Sequence, residues 1–171
     1  MRILAIDISG NYKEGKGTTG YCIGNGKGLI LEIGEIKAAD YESRMEYHDA
    51  VLSLALNKKK VDVIVCENFR LYQHKAQAQV HSEMETPRII GALEYCAWLK
   101  NMPLYFQMAT DVKKRFSDEI LLENNILEKQ KNALYFKGIK TNDHIRDAIR
   151  HYNYFVRYGL KKQGWNYMPL L

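Results

Sequence analysis

Two acidic residues stand where apolar strands should end. Asp7 follows the apolar run of MRILAID, and Glu67 follows VDVIVC, a segment rich in β-branched residues. Two carboxylates brought together repel each other and raise each other's pKa unless a cation lies between them. If the two strands are neighbours, both side chains converge at one sheet edge, where a divalent ion such as Mg²⁺ would accept their oxygens. The pair therefore indicates a candidate metal site.

Three further candidates lie at the start of the last predicted helix, in TNDHIRDAIRHYNYFVRYG. Asp143 and Asp147 are four residues apart, and His144 and Asp147 are three apart, so both pairs project from one side of the first two turns. We expect Gly159 to end this helix. We expect an apolar stripe on the opposite side, which would dock the helix and direct the polar group to the sheet edge: Ile145, Ala148, Ile149, Tyr152, Phe155 and Val156.

Each of these residues also has an ordinary structural interpretation. Asp7 could be a turn residue at a strand end, and Asp143 could stabilise the positive end of a helix dipole. Asp147 could form a surface ion pair with Arg146, Arg150 or a lysine from elsewhere in the chain. His144 could be a half-buried polar residue. Glu67 is the hardest to explain in this way, because an acid that ends an otherwise apolar strand needs a partner.

The elements that must position these residues follow from local patterns. Residues 2–8 predict a buried strand, and TTGYCIGN and LILEIGEI predict two more in a β-meander. The polar stretch SGNYKEGKG suits a flexible hairpin loop. An amphipathic helix is predicted from Asp40, a candidate N-cap, to the lysines at 58–60, with its apolar positions at Tyr41, Met45, His48, Val51, Leu52 and Ala55.

The second half of the chain continues with alternating elements. VDVIVC predicts a central fourth strand, reached by a helical crossover and therefore parallel to its partner. Thr86 is a candidate N-cap, with Pro87 in the first turn of RIIGALEYCAWLKN. PLYFQMA predicts a short fifth strand, and TDVKKRF and DEILLENNILEKQ predict short helices. This order predicts an α/β ribonuclease H-like fold as a single domain over residues 1–171, with a mixed five-stranded sheet of three antiparallel and two parallel strands flanked by helices.

Composition restricts the classes of function. The chain carries 25 Lys and Arg against 20 Asp and Glu, a net charge of +5, which favours polyanion binding only weakly. The three cysteines, Cys22, Cys66 and Cys96, lack a CxxC pair and predict buried, reduced thiols. Neither a signal peptide nor a membrane span is expected, so we expect a cytoplasmic protein. The basic residues group at 58–60, at Arg70, His74 and Lys75, at Lys113, Lys114 and Arg115, and at Lys161 and Lys162, the last typical of a solvated tail.

The segments MRILAIDIS, VIVCENF and HIRDA resemble, in order and spacing, the three acidic motifs of RuvC-type Holliday-junction resolvases. The form HIRDAIRHY looks like that of their phage-borne relatives. The resemblance implies a homodimeric endonuclease that cuts four-way DNA junctions with two Mg²⁺ ions, for which Mn²⁺ can substitute. It also implies a location in the host cytoplasm if the protein is phage-encoded. By this resemblance, Asp7, Glu67 and Asp147 are catalytic metal ligands, and His144 falls where the family has aspartate or histidine. Asp143 has no firm counterpart, so the fourth ligand stays open between it and His144.

The resemblance also suggests how DNA is contacted. Phe69 fits the position of an aromatic residue at the junction centre, with a core phenylalanine as the alternative. Lys113 and Lys114 are candidate phosphate contacts, against a solvated helix face. The first loop is longer and more charged than expected for the family, and its Lys13 and Lys16 are further candidates, as are Arg70 and Lys75 after the second acid. The apolar face of the helix at 87–100 could form the dimer interface or could belong to the core.

In the expected mechanism, one ion activates a water and the other stabilises the leaving oxygen, with Asp7 bridging the two ions. His144 could instead orient or deprotonate the water. Two other functions remain open from sequence: a different ribonuclease H-like nuclease of the terminase or RNA-cutting kind, and a branch-binding module without catalysis. A third alternative, an actin-like nucleotide-binding fold, is disfavoured because 171 residues are too few for its two lobes.

Overall fold

The computed structural model describes residues 1–56, 61–69 and 84–162, and these form a mixed sheet covered by helices on both faces. The five main strands are β1 (Arg2–Asp7), β2 (Thr18–Asn25), β3 (Ile30–Lys37), β4 (Val63–Glu67) and β5 (Leu104–Gln107). They lie in the order β3-β2-β1-β4-β5. The first three strands are antiparallel, and β1, β4 and β5 are parallel. The predicted fold class and the adjacency of β1 and β4 are confirmed.

The helices are α1 (Arg44–Leu56), α2 (Glu85–Leu99), α3 (Ala109–Arg115), α4 (Asp118–Glu123), α5 (Asp143–Tyr154) and α6 (Leu160–Lys162). On one sheet face, Leu4 and Ile64 pack in a core with α1 and α2. On the other face, Ile3 and Val63 pack in a core with α5. Side chains alternate between the faces of a strand, so the odd-numbered positions of β1 and β4 all face α5.

Two predicted helix starts are wrong. Asp40 closes a 3₁₀ turn at Ala38–Asp40, and α1 begins at Arg44, where Ser43 and Glu46 accept hydrogen bonds from each other's backbone N–H in a capping box. The buried face of α1 accordingly differs from the predicted stripe and consists of Tyr47, Val51, Leu54 and Ala55, whereas Met45 is exposed.

The helix α2 begins at Glu85, one residue before the predicted cap Thr86. The Thr86 hydroxyl instead accepts a hydrogen bond from the backbone N–H of Gly10 (2.8 Å), and Glu85 accepts one from Tyr12 (2.6 Å). The loop between β1 and β2 is therefore held against the start of α2 and is not the free hairpin loop expected from its composition. This contact fixes the chain just beyond Asp7.

A second, three-stranded antiparallel sheet was missed by the sequence analysis. Its strands are β6 (Glu128–Gln130), β7 (Ala133–Phe136) and β8 (Ile139–Lys140), and β6 occupies sequence predicted to be helical. Gly159 does not end the last helix, because α5 passes through a π-helical turn (Phe155–Gly159) into α6. Cys22 and Cys66 are buried free thiols as expected, but Cys96 is only half-buried. None of the helices in the described ranges is long and apolar enough to cross a membrane.

Candidate active site

Polar side chains form a row across the carboxyl ends of β1, β4 and β5. Asp7 lies one residue beyond the paired positions Ile6 and Cys66, which brings it level with Glu67. Glu67 in turn pairs with Gln107. By strand alternation, all three side chains lie on the face that α5 covers. The row ends at Gly20 of β2, the partner of Asp7.

The helix α5 lies directly on this row. Its N-cap residue Asn142 accepts a hydrogen bond from the backbone N–H of Ile145 (2.8 Å), which fixes the first turn. A Cβ atom on Gly20 would lie 2.2 Å from the carbonyl of His144, so only glycine permits this approach. The Tyr152 hydroxyl donates to the carbonyl of Asn25 (2.7 Å) and ties the far end of α5 to β2.

Asp7 is buried and bonded to His144, whose Nδ1 lies 2.7 Å from Oδ2 of Asp7. Burial raises the pKa of Asp7, and the negative charges of Glu67 and Asp147 raise it further, although the hydrogen bond with His144 acts in the opposite direction. The same hydrogen bond raises the pKa of His144. Strand register places Asp7 level with Glu67, and α5 carries Asp147 on the same face of the sheet.

Asp147 is buried between two cations. Its Oδ2 lies 2.7 Å from Nζ of Lys113 on α3, and its Oδ1 accepts a hydrogen bond from the Arg150 guanidinium one turn later on α5. Arg150 also donates to Asp118 (2.5 Å) and to the carbonyl of Phe116 (3.0 Å). Burial would lower the pKa of Lys113, but the hydrogen bond and charge of Asp147 raise it above its usual value.

Glu67 is bonded to a residue that the sequence analysis did not select. Its Oε2 lies 3.1 Å from Nε2 of His151, and Nδ1 of the same ring lies 2.8 Å from Oε1 of Gln107. His151 is completely buried. The imidazole ring therefore connects the ends of two neighbouring strands.

The structure does not bring Asp143 into this group. Its side chain is 86% exposed and pairs with Arg146 at the outer side of α5, whereas the side chain of Asp147 is only 11% exposed. The prediction that the polar residues and the apolar stripe lie on opposite sides of α5 is also wrong. His144, Asp147 and His151 lie beside the stripe on the same face, since 100° per residue places them next to Ala148 on the helix circumference.

The residues predicted to contact DNA differ in their exposure and in their distance from the acids. Lys113 is half-exposed but points its ammonium group at Asp147, and Lys114 is exposed. Lys13 and Lys16 are exposed in the first loop, where Lys16 pairs with Glu14 (3.5 Å). Phe69 is half-buried, two residues after Glu67. Arg70, His74, Lys75 and the lysines at 58–60 lie outside the described residues.

Sequence reasoning missed Gln107 and His151, and it considered Arg150 only as a surface ion-pair partner of Asp147, whereas the pair is buried. A usable signal existed for two of them, because His151 is four residues after Asp147 and seven after His144 on one helical face, and Arg150 is three after Asp147. Gln107 carried no such signal. Its role depends on the pairing of β4 with β5, which only the folded chain shows.

The side chains at this sheet edge include the oxygen and nitrogen donors that a divalent cation needs. Three carboxylates and one imidazole are ligands that Mg²⁺ and Mn²⁺ accept. Within residues 1–56, 61–69 and 84–162, no three His, Cys, Asp or Glu side chains are grouped as a ready metal site. Asp7, Glu67 and Asp147 each contact a basic side chain of the protein instead. The chemistry of the ligands fits, with these basic groups occupying part of their coordination capacity.

Comparison with solved structures identifies the fold. The chain superposes on Thermus thermophilus RuvC in complex with Holliday junction substrate with a TM-score of 0.63 and 15% identity, covering 96% of this chain and 97% of that one. A second Thermus thermophilus RuvC structure gives a TM-score of 0.61 and 16% identity over the same shares. The chain has the RuvC fold. No family model and no curated protein matches the sequence, so these likenesses establish the fold and not the activity.

Proposed function

We propose that the protein is a metal-dependent, structure-selective endonuclease that cleaves Holliday junctions and other branched DNA. The observation that carries the proposal is the placement of Asp7 level with Glu67 at the carboxyl ends of β1 and β4, on the sheet face that α5 covers and to which it brings Asp147. Each of the three acids is paired with a basic side chain, and a purely structural cluster of this kind has little advantage, because replacing buried ion pairs by apolar residues is often neutral or stabilising. A surface that only binds DNA would also be better without acids, which repel phosphates.

The residues divide the work by their position. Asp7, Glu67 and Asp147, with His144, would hold two Mg²⁺ ions. Bound ions of this kind lower the pKa of a water and stabilise a leaving oxygen. Lys113 reaches the site from α3 with its side chain 51% exposed, so its ammonium group can pass from Asp147 to a DNA phosphate. His144 can accept or position a proton beside Asp7, because its ring is half-buried and its Nδ1 is fixed by that carboxylate.

Branched DNA as the substrate is supported by two observations. The RuvC structure of the same fold was determined with a Holliday junction. The net charge of +5 favours a polyanion, with Lys114 exposed next to the site. A homodimer would match the two-fold symmetry of a four-way junction. The helix α2 exposes Tyr95, Trp98 and Leu99, and this apolar face is the candidate dimer contact.

One cleavage assay tests the proposal. Synthetic four-way, three-way, flap and linear duplex DNA are incubated with the protein in Mg²⁺ or Mn²⁺, and Glu67→Gln is the matched control, since it keeps the shape of the side chain but removes its charge. We expect metal-dependent nicking of the four-way junction that the variant loses. A preference for linear duplex or RNA·DNA hybrid would reject the junction assignment. Tight junction binding without cutting, unchanged in Asp7→Asn, would indicate a binding module.

A further inference from the structure

The buried imidazole of His151 has polar side chains on both nitrogens. Nε2 lies 3.1 Å from Oε2 of Glu67, and Nδ1 lies 2.8 Å from Oε1 of Gln107. Both partners stand at the carboxyl ends of adjacent parallel strands, where they are paired in register. The ring therefore spans β4 and β5 from its place on α5.

The hydrogen-bond partners of the His151 ring determine which of its nitrogens donates to Glu67. A neutral imidazole has one N–H, so it cannot donate to two acceptors. The amide of Gln107 can present its NH₂ group to Nδ1 instead of its oxygen, since the two ends of an amide are interchangeable in shape. The proton of the ring then lies on Nε2 and is donated to Glu67. In the doubly protonated form both nitrogens donate, and the bond to Glu67 is again formed.

We propose that His151 is a positioning residue for Glu67, with Gln107 fixing the ring in turn. The hydrogen bond to Oε2 restricts rotation of the carboxylate, and no described residue donates to Oε1, which is left to face an ion. The inference rests on the proposed function only in taking Glu67 as a metal ligand. Partners of this kind orient metal ligands and typically change metal affinity by about 10–100-fold when removed.

A packing role alone does not explain this residue. The neighbouring buried positions of α5 are filled by Ala148, Ile149 and Tyr152, and an apolar side chain at 151 would fill the same space without the cost of burying a polar ring. His151 instead satisfies both nitrogens on side chains, one of them an acid of the site. This geometry is expected for a side chain that holds a metal ligand, here Glu67, in one orientation.

The test is Mn²⁺ binding to the intact protein without DNA, measured by electron paramagnetic resonance. His151→Phe keeps the ring volume and removes both nitrogens, so we expect Mn²⁺ affinity to fall by about 10–100-fold. His151→Gln restores a donor for Glu67 and should recover affinity to within a few-fold of wild type. Gln107→Leu leaves the imidazole in place but removes its support, and should weaken binding by about 10-fold.

The outcomes separate positioning from packing and from the proposed function. A lower thermal midpoint with unchanged Mn²⁺ affinity in both His151→Phe and Gln107→Leu would overturn the inference, as would a wild-type protein that binds no Mn²⁺. If His151→Phe does not fold, Gln107→Leu and His151→Gln decide the question. Wild-type protein that binds Mn²⁺ but cuts no branched DNA would reject the nuclease, whereas the loss of affinity in these variants would still support positioning.

Discussion

At the scale of single residues, the site is a set of acids, each contacting a basic side chain of the protein. Asp7 contacts His144, Asp147 contacts Lys113 and Arg150, and Glu67 contacts His151. Buried carboxylates need such partners, because burying an unpaired carboxylate destabilises a protein by roughly several kcal/mol. A divalent ion would compete with these partners for the same oxygens, so stability and function are opposed here.

Replacing Asp7 should reveal that opposition. The pKa of Asp7 is raised in the folded protein by burial, so as the pH rises through the ordinary aspartate pKa of 3.8 the unfolded chain loses its proton first. The folded state therefore loses stability as the pH rises from 3.8 through the folded-state pKa, and the cost persists at neutral pH. Asp7→Asn should be more stable than wild type at pH 7 without divalent ions, with the difference vanishing near pH 3. Urea unfolding in EDTA at both pH values measures this.

Asp143→Asn provides the matched control for that experiment. It makes the same chemical change on an exposed side chain that pairs with Arg146, and surface changes of this kind usually stay within about 0.5 kcal/mol. A gain in stability at pH 7 as large as that of Asp7→Asn would contradict the account, because the effect would then not depend on burial in the cluster.

The two aspartates of α5 should also differ in activity. Asp147→Ala removes a buried acid of the site, and we expect junction cleavage to fall by more than about 100-fold, beyond the loss typical of supporting partners. Asp143→Ala should retain cleavage to within a few-fold, because its carboxylate faces solvent. Initial rates on a four-way junction in Mg²⁺ compare them. Equal losses in the two variants would show that α5 presents a different face to the substrate.

At the scale of elements, the close contact between α5 and β2 sets the position of His144. A methyl group at Gly20 would meet the His144 carbonyl at 2.2 Å, and backbone on both sides leaves no flexible side chain to move away. We expect Gly20→Ala to cost about 1–3 kcal/mol, the usual range for overpacking, and to reduce cleavage by displacing the start of α5. Thermal unfolding together with cleavage rates on the same samples measures both effects.

Gly91→Ala is the control for the glycine substitution. Gly91 lies in the middle of α2, and a Cβ there meets nothing within 4 Å. Because alanine is favoured over glycine in a helix interior by about 1 kcal/mol, this variant should be more stable and equally active. Should Gly20→Ala behave in the same way as Gly91→Ala, the close approach of α5 to β2 would be refuted.

A run of ion pairs joins α3, α4 and α5 behind the site. Arg150 is its centre, since it contacts Asp147, Asp118 and the carbonyl of Phe116. Arg150→Met keeps the length of the side chain but leaves two acids without their buried partner, which should cost about 3 kcal/mol in urea unfolding. Arg157→Met, on an exposed position of the following turn, should change stability by less than about 0.5 kcal/mol. Similar losses in both would show that burial of Arg150 is unimportant.

At the scale of the whole molecule, the order of elements was predictable and several contacts between them were not. Strands β1, β2 and β4 are recognisable because their apolar runs are long and end at Asp7, Asn25 and Glu67. The strands β6–β8 were missed because they are two to four residues long and mostly exposed, so they carry no apolar period. The start of α1 was misplaced because Asp40 was preferred to the capping box at Ser43 and Glu46.

The site shows the same division. Asp7 and Glu67 were found because each ends an apolar run, and Asp147 because of its helical spacing from Asp143 and His144. Gln107 lies in the short fifth strand and gains its role from register with Glu67. His151 was passed over because a basic residue on a helix is usually solvated, and for the same reason Arg150 was expected to pair with Asp147 only at the surface. Distinguishing Asp143 from Asp147 required the rotation of α5 about its axis, which depends on packing at Gly20 and not on spacing alone.

The most direct measurement is the anomalous diffraction of manganese in a crystal of the protein soaked in Mn²⁺. The account predicts manganese peaks at the sheet edge, bound by Asp7, Glu67 and Asp147, with the Lys113 ammonium displaced from Asp147. Crystals of Asp7→Asn should lose the peaks. Full soaking with no manganese at this edge, and with all three acids still paired to His144, His151, Lys113 and Arg150, would contradict the account.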